Sequence, residues 1–265
     1  MPANRKPGLA RTVLKSGCVA LPALAAVHAA PVISTLGPLR NRLMPGLSGQ
    51  GRADHVALTF DDGPDPLSTP FFLRVLDEYR IRATFFVLGS MANRAPELLR
   101  EMAAAGHEIG IHGWQHRPLL LRGPRATYQD FARARDRVAE ITGQMPRLFR
   151  PPYGVMSTSA HLAVRRLGLT PVLWTCWGED WTRRATPRSV HQTVTADLRG
   201  GGTILLHDSD CTSAPGAWRS ALGALPMLLD TCERRGLQVG PLRDHAPVTS
   251  THACEARRPV RAVRA

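Results

Sequence analysis

Two adjacent carboxylates, Asp61 and Asp62, end an apolar run and precede Gly63-Pro64 in HVALTFDDGP, residues 55–64. A turn needs one aspartate at most, so a pair points to two separate tasks. Further along, His112 and His116 stand four residues apart in HGWQH. That spacing lets two imidazoles reach one metal ion from a single helical turn. By themselves the two histidines also fit ordinary surface or core positions. A carboxylate from the aspartate pair completes a set of two histidines and one carboxylate with positions left open for water, the composition of a catalytic zinc site. Such a site activates water near neutral pH and polarises a carbonyl. One aspartate then ligates the metal, while the other stays off it as a general base. The cation and Arg150 relieve the repulsion between the two charges. His207 is the matching general acid on the opposite side, with Asp180 to orient it.

These residues follow short apolar runs. The runs at 55–60, 83–88, 108–112, 147–150, 171–176, 202–207 and 237–240 predict strands. Helical patterns lie between them, among them 92–106 and 127–143, each closing on a glycine (Gly106, Gly143) suited to a helix stop. Alternation of this kind implies an α/β chain with a parallel sheet and helical crossovers, and fits either a closed barrel or an open doubly wound sheet. In both, ligands gather at the carboxyl ends of the strands. Reactive clusters at several strand ends exceed what packing alone requires. No GxGxxG follows a strand, so a dinucleotide site has no support.

The chain of 265 residues, 43% hydrophobic, is long enough for one large α/β domain with a real core. Its net charge of +13 sits mostly in the tails. Residues 1–53 hold seven Lys/Arg and no acid, residues 255–265 hold four Arg and one Glu, and 54–254 carry only +3. A nearly neutral middle gives no nucleic-acid signal; the basic tails suit an anionic wall, a membrane surface or plain solvation. Arg5, Lys6, Arg11 and Lys15 precede an uncharged stretch, Ser16 to Leu39, in the order of a signal peptide or membrane anchor. Prolines 22, 31 and 38 weaken that stretch as a spanning helix. Export or anchoring is the expectation, with a cytoplasmic chain bearing an apolar leader as the alternative. The domain reading is therefore a leader and linker over 1–53, a catalytic domain over 54–245 and a basic tail over 246–265. Cysteines 18, 176, 211, 232 and 254 form no CxxC pair and no disulfide framework.

The motifs also resemble those of the polysaccharide deacetylase family, whose NodB homology domain occurs in chitin, chitooligosaccharide, xylan and peptidoglycan deacetylases. Five motifs stand in family order. They are Thr59-Phe60-Asp61-Asp62-Gly63-Pro64; His112 to His116; Arg150-Pro151-Pro152-Tyr153-Gly154; Asp180-Trp181; and Leu205-Leu206-His207. The resemblance implies a distorted (β/α) barrel of about seven parallel strands and removal of N-acetyl groups from an amino-sugar glycan. It implies Asp61 as base, Asp62, His112 and His116 as ligands of a divalent ion, commonly Zn²⁺, and Tyr153 as an oxyanion donor through its backbone N–H. It also implies Arg150 holding Asp61, Asp180 holding the acid His207, and Trp181 and Leu205 walling the pocket for the acetyl methyl group. Three positions depart from the family pattern. Gly113 stands where Ser or Thr is usual, Ile111 where Asn is usual, and Trp177 where Asp is usual.

Tryptophans 174, 177 and 181 crowd the fourth motif, with Trp114 in the second and Trp218 beyond His207. Flat rings with a polar edge suit a sugar face, although core packing accounts equally well for some of them. Rival readings are an esterase or small-amide hydrolase on the same site, a non-catalytic carbohydrate-binding relative, and a membrane or wall scaffold acting through the leader. The presence of both Asp61 and His207 weighs against the non-catalytic reading.

Overall fold

The structure, a computed structural model, describes residues 24–245. Strand β1 (His55–Asp61) is buried along its whole length and lies at the centre of a parallel sheet. On one side follow β2 (Thr84–Val87), β3 (Glu108–Ile111), β4 (Leu148–Phe149) and β5 (Thr170–Pro171). On the other side lie β7 (Thr203–His207) and then β6 (Cys176–Trp177), while β8 (Gln238–Gly240) pairs with His55–Ala57 of β1. Every pairing is parallel. β5 and β6 are the two edges of the order from β5 to β6, yet only residues 172–175 separate them in the chain. At roughly 3.3 Å per extended residue, so short a crossing requires the sheet to curl until its edges face each other. The result is a curled (β/α) half-barrel of parallel strands flanked by helices.

That crossing divides the strand expected over 171–176 into two short pieces on opposite edges. The reason is visible in the backbone bonding. The carbonyls of Val172 and Leu173 accept from the Arg150 guanidinium, and Leu173 N–H donates to Leu47. The groups that would form a ladder are occupied across the gap instead.

Side-chain alternation along the strands sorts interior from exterior. On β1, Phe60 packs with Phe72 and Phe85, at ring-centroid distances of 5.3 and 5.0 Å, in the large core under the helices. Ala57 belongs to a separate small cluster with Phe86, Val172 and Leu242 inside the curl. Thr59 and Asp61 share the Ala57 side of β1, and both reach the Arg150 guanidinium there. Small and polar residues on that face leave room for one large buried cation.

Proline and glycine set the helix limits. The helix expected over 92–106 is two helices, Gly89–Arg94 and Pro96–Ala104. Pro96 lacks an N–H to continue the first, and it pushes Ala95 to φ −130°. The helix expected over 127–143 begins earlier, at Pro124, and ends as expected at Gly143, which takes φ 70°.

The basic residues between 5 and 15, Cys18, Cys254 and the tail 246–265 lie outside the described residues. Among the described residues no helix is long and apolar enough to cross a membrane. Residues assigned from composition to a leader and linker pack on the half-barrel, beginning at Val27, whose carbonyl accepts from Thr158 Oγ1 at 2.6 Å. Arg40 is buried and donates to Ser48 Oγ, to the Ser34 carbonyl and, at 2.6 Å, to the Trp174 carbonyl in the edge crossing. Gly49 accepts from Thr203 Oγ1. Composition alone hides this docking because its contacts run largely through backbone carbonyls. Replacing Arg40 with alanine leaves those carbonyls unpaired. We expect Arg40→Ala to cost about 3 kcal/mol, a Tm loss of roughly 6–12 °C for a domain of this size, read by thermal unfolding followed by circular dichroism. A loss under about 2 °C would show that the segment is not docked.

Candidate active site

Register brings the reactive residues to one end of the sheet. Asp61 lies opposite His207 of β7, and Ile111 lies opposite Phe149. His112 and Arg150 therefore leave neighbouring strands at the same level. Asp61, His112, His116, Tyr153, Trp181, Leu205 and His207 line one cavity of about 250 Å³.

Arg150 lies beneath that cavity, fully buried, its guanidinium 4.1 Å from the centre of the Phe86 ring. Nη1 donates to Asp61 Oδ1 at 2.8 Å and to Thr59 Oγ1 at 2.7 Å, while Nε and Nη2 donate to Val172 and Leu173 carbonyls. Burial pulls the guanidinium below its ordinary pKa, and Asp61 pulls the other way through charge and hydrogen bond. The other Asp61 oxygen, Oδ2, stands 3.7 Å from His112 Nε2.

Asp62, His112 and His116 form the one group among the described residues able to hold a metal ion, with ligand atoms within 4.8 Å of one another. Their hydrogen bonding fits that use. His112 Nδ1 lies 2.7 Å from the Arg150 carbonyl, which can only accept. Nδ1 therefore carries the proton, and Nε2 keeps its lone pair. Asp62 Oδ1 is 3.7 Å from that nitrogen and 4.0 Å from His116 Nε2, and it is buried with no hydrogen-bond partner. Ligands bonded at about 2.1 Å to one tetrahedral ion stand roughly 3.4 Å apart, close to these spacings. Burial, then the neighbouring His112, lowers the His116 pKa to about 4, against the opposite pull of Asp62 and Asp61. A neutral imidazole is the ligating form.

The second histidine does not arrive by a helical turn. Residues 112–116 form a bent loop after β3, with Gly113 at φ 86°, and the two rings are 4.9 Å apart. Asp130, on the helix Pro124–Thr142, fixes that loop. Its Oδ2 accepts the Trp114 N–H at 2.8 Å, and its Oδ1 pairs with Arg122 at 2.6 Å. A Cβ at residue 113 would lie 3.0 Å from Asp130 Oδ2, on a backbone conformation that β-branched residues resist. Glycine at 113 thus leaves room for a carboxylate to support the loop in place of a loop hydroxyl. Arg133 stacks on the Trp114 ring at 3.6 Å.

Asp180 grips the end of β7 twice. Oδ2 accepts the His207 N–H at 2.7 Å, and Oδ1 meets His207 Nδ1 at 2.9 Å, which leaves Nε2 for the cavity. Burial alone would lower the His207 pKa. Asp180 outweighs it, with further pull from Asp62 and Asp61, and carries it up to about 10. The imidazole is then a cation at neutral pH. Because the folded pKa exceeds the ordinary 6.5, this pairing stabilises the fold fully below about 6.5 and loses its effect as pH rises through about 10.

Three of the four non-glycine residues with positive φ among the described residues lie in or beside the site: Asp62 (81°), Tyr153 (59°) and Glu179 (50°). Strain of this kind persists where surrounding contacts over-determine it. For Asp62 those contacts come from the loop after β7. Thr212 Oγ1 donates to Asp62 Oδ2, and Asp208 accepts from Gly63 N–H and Thr69 Oγ1. The sequence offers residues 209–213, after His207, either as a polar loop lining the groove or as solvated turn chemistry, and Thr212 and Ser213 line the cavity; it gives Asp130 no role. Asp208 was marked by its adjacency to His207 at a strand end; nothing in the spacing marked Asp130. Cys176, Cys211 and Cys232 are free thiols. Of the tryptophans, 174, 177 and 181 line the cavity, whereas Trp218 stacks on Phe71.

The family model for polysaccharide deacetylase matches residues 48–172. The chain is 36% identical to a chitooligosaccharide deacetylase of Bradyrhizobium sp. (strain ANU 289), over 71% of this chain and 88% of that one. This chain belongs to the polysaccharide deacetylase family. The solved peptidoglycan deacetylase PdaC from Bacillus subtilis superposes with a TM-score of 0.64 at 31% identity, covering 74% of this chain and 89% of that one. A family pseudoenzyme from Bacillus anthracis shares the fold at TM-score 0.66 and 21% identity, covering 72% and 65% of the two chains. Polysaccharide deacetylase architecture alone therefore does not decide activity. The relatives named for deacetylation make this chain a carbohydrate deacetylase.

In Asp180→Asn the carboxylate that outweighs burial is gone. We expect the His207 imidazole to titrate at least one unit lower than in the unaltered chain, read by NMR. An unchanged His207 titration would show that Asp180 does not set its charge.

Proposed function

We propose that this enzyme removes N-acetyl groups from amino-sugar glycans of the chitooligosaccharide or peptidoglycan type. One observation carries the reading: the Arg150–Asp61 pair, the Asp62–His112–His116 group and the Asp180–His207 pair converge on a single 250 Å³ cavity. A divalent ion held by Asp62, His112 and His116, with Zn²⁺ the first candidate for this donor set, would supply Lewis-acid polarisation of the acetamide carbonyl and of the attacking water. Asp61, oriented by Arg150, takes the proton from that water. The Tyr153 N–H, which has no acceptor among the described residues, donates to the oxyanion that develops on the carbonyl. His207, held as a cation by Asp180, gives its proton to the departing amine. Acetate and a free amino sugar result. Trp181 and Leu205 line the cavity where the acetyl methyl group must sit.

Export or anchoring belongs to the same reading, since a polymeric wall glycan lies outside the membrane. Residues 1–53 carry seven basic residues and no acid. The described part of that segment exposes Leu24, Val27, Ile33, Leu36 and Leu43, a composition suited to an anionic membrane or wall surface.

The test is acetate release from N-acetylglucosamine oligomers and from peptidoglycan, with the full chain stripped of metal by a chelator and then resupplied with Zn²⁺. We expect release only after resupply, and a loss of about 10²–10⁴ in kcat for Asp61→Asn. Release that survives Asp61→Asn undiminished would remove Asp61 from the base role. No release from either glycan would move the substrate to an ester or a small amide.

A further inference from the structure

Two arginines with no counter-charge face a separate cavity of about 280 Å³. Arg183 stands on the loop that follows Asp180-Trp181, and Arg219 on the first turn of the helix Trp218–Arg234. Thr182, Thr186 and Ser220 add hydroxyls to the wall, and no carboxylate lines it. This cavity is distinct from the catalytic one. Trp181 and Ser213 line the catalytic cavity, whereas Thr182 and Pro215 line this one. Between them the Ala214 N–H donates to the Trp181 carbonyl at 3.1 Å and joins the two loops.

Arg219 is held in place rather than swinging in solvent. Its guanidinium lies 4.5 Å from the centre of the Trp218 ring, and that ring stacks on Phe71 at 5.6 Å. It also packs against Gly216, where a Cβ would stand 2.7 Å from Nη1. A guanidinium stacked on an aromatic face keeps its in-plane N–H donors free for another partner. None of the arginine ion pairs among the described residues involves Arg183 or Arg219. Asp210, the acid that meets this turn, accepts the Gly216 N–H instead. Two unpaired forks and several hydroxyls, with no acid in the wall, call for an anion with more oxygens and more charge than one carboxylate carries. A phosphate group has both. We propose that this cavity is a phosphate-binding site, in which the anion bridges Arg183 and Arg219 and so ties the loop carrying Asp180 and Trp181 to the helix Trp218–Arg234. The site does not depend on the deacetylase reading, and its test reads binding alone.

The experiment is calorimetric titration of the full chain with inorganic phosphate. One ion per chain should bind with a dissociation constant of about 1 mM or tighter. Arg183→Ala and Arg219→Ala should each weaken binding at least about tenfold, the effect of losing hydrogen bonds to a charged group. Arg219→Lys keeps the charge but loses the fork, and should fall between Arg219→Ala and the unaltered chain. Arg166→Ala removes an exposed arginine from another helix, Thr158–Leu167, and should leave binding unchanged. Circular dichroism checks that each variant is folded. No saturable binding up to about 20 mM phosphate, undiminished binding in either Arg183→Ala or Arg219→Ala, or an equal loss in Arg166→Ala overturns the proposal. A parallel titration with poly(glycerol phosphate) separates the sources of the phosphate. Tighter binding of the free ion, the expected result, assigns the site to inorganic phosphate; tighter binding per phosphate of the polymer, lost in the same two variants, assigns it to a phosphodiester.

Discussion

The buried ion pair between Arg150 and Asp61 is the interaction on which the rest of the structure depends. Removing a guanidinium from water is costly, and its attraction to a carboxylate offsets that cost only when every remaining donor is also paired. Here each is. Asp61 and Thr59 take one nitrogen, and the carbonyls of Val172 and Leu173 take the others. Those carbonyls belong to the crossing between the two sheet edges, so the same cation that orients Asp61 also fastens the curl. The backbone carbonyl of Arg150 meanwhile fixes the His112 tautomer. A single residue thereby sets the position of one carboxylate, the lone pair of one imidazole and the closure of the half-barrel. Removing it would leave a carboxylate buried beside other carboxylates, the kind of change that costs about 3–5 kcal/mol.

Around that pair, the site works by giving similar groups different surroundings. Asp61 and Asp62 are neighbours in sequence, but β1 turns between them. Asp61 continues the strand and meets Arg150. Asp62, at φ 81°, swings to the histidines with one oxygen held by Thr212 and the other unpaired. The histidines divide in the same way. His116, buried beside His112, is held neutral, whereas His207 is held charged by Asp180. Separate roles for like residues follow from burial and from which charge stands nearest.

Much of this was legible in the sequence because strand ends are legible. A run such as VALTF followed by Asp-Asp, or TILL followed by His, fixes both an element and the residue at its carboxyl end. Parallel register then aligns those ends without further information. The curl was less legible, since a buried parallel strand reads the same in an open sheet and in a barrel; the crossing at 172–175 decides it, through bonds to Arg150 that no periodicity encodes. The HxxxH spacing gave the two imidazoles but not their backbone, because Gly113 turns a loop where four-residue spacing fits a helix equally well. The bonds made by Asp130 and Thr212 were hidden for a related reason. Each acts from about 15 or more residues away in sequence, through a single contact. The docking of residues 34–51 was masked by an Arg-, Gly- and Pro-rich composition that also describes a linker.

The most direct test of the account is zinc uptake by the metal-stripped full chain, with X-ray absorption at the zinc edge to count the ligands. One ion per chain, bound by two imidazoles and oxygen donors, is the result predicted by the lone pairs of His112, His116 and Asp62 converging beside the Arg150–Asp61 pair. Absence of binding, or an ion ligated without two imidazoles, would contradict the assignment of that site.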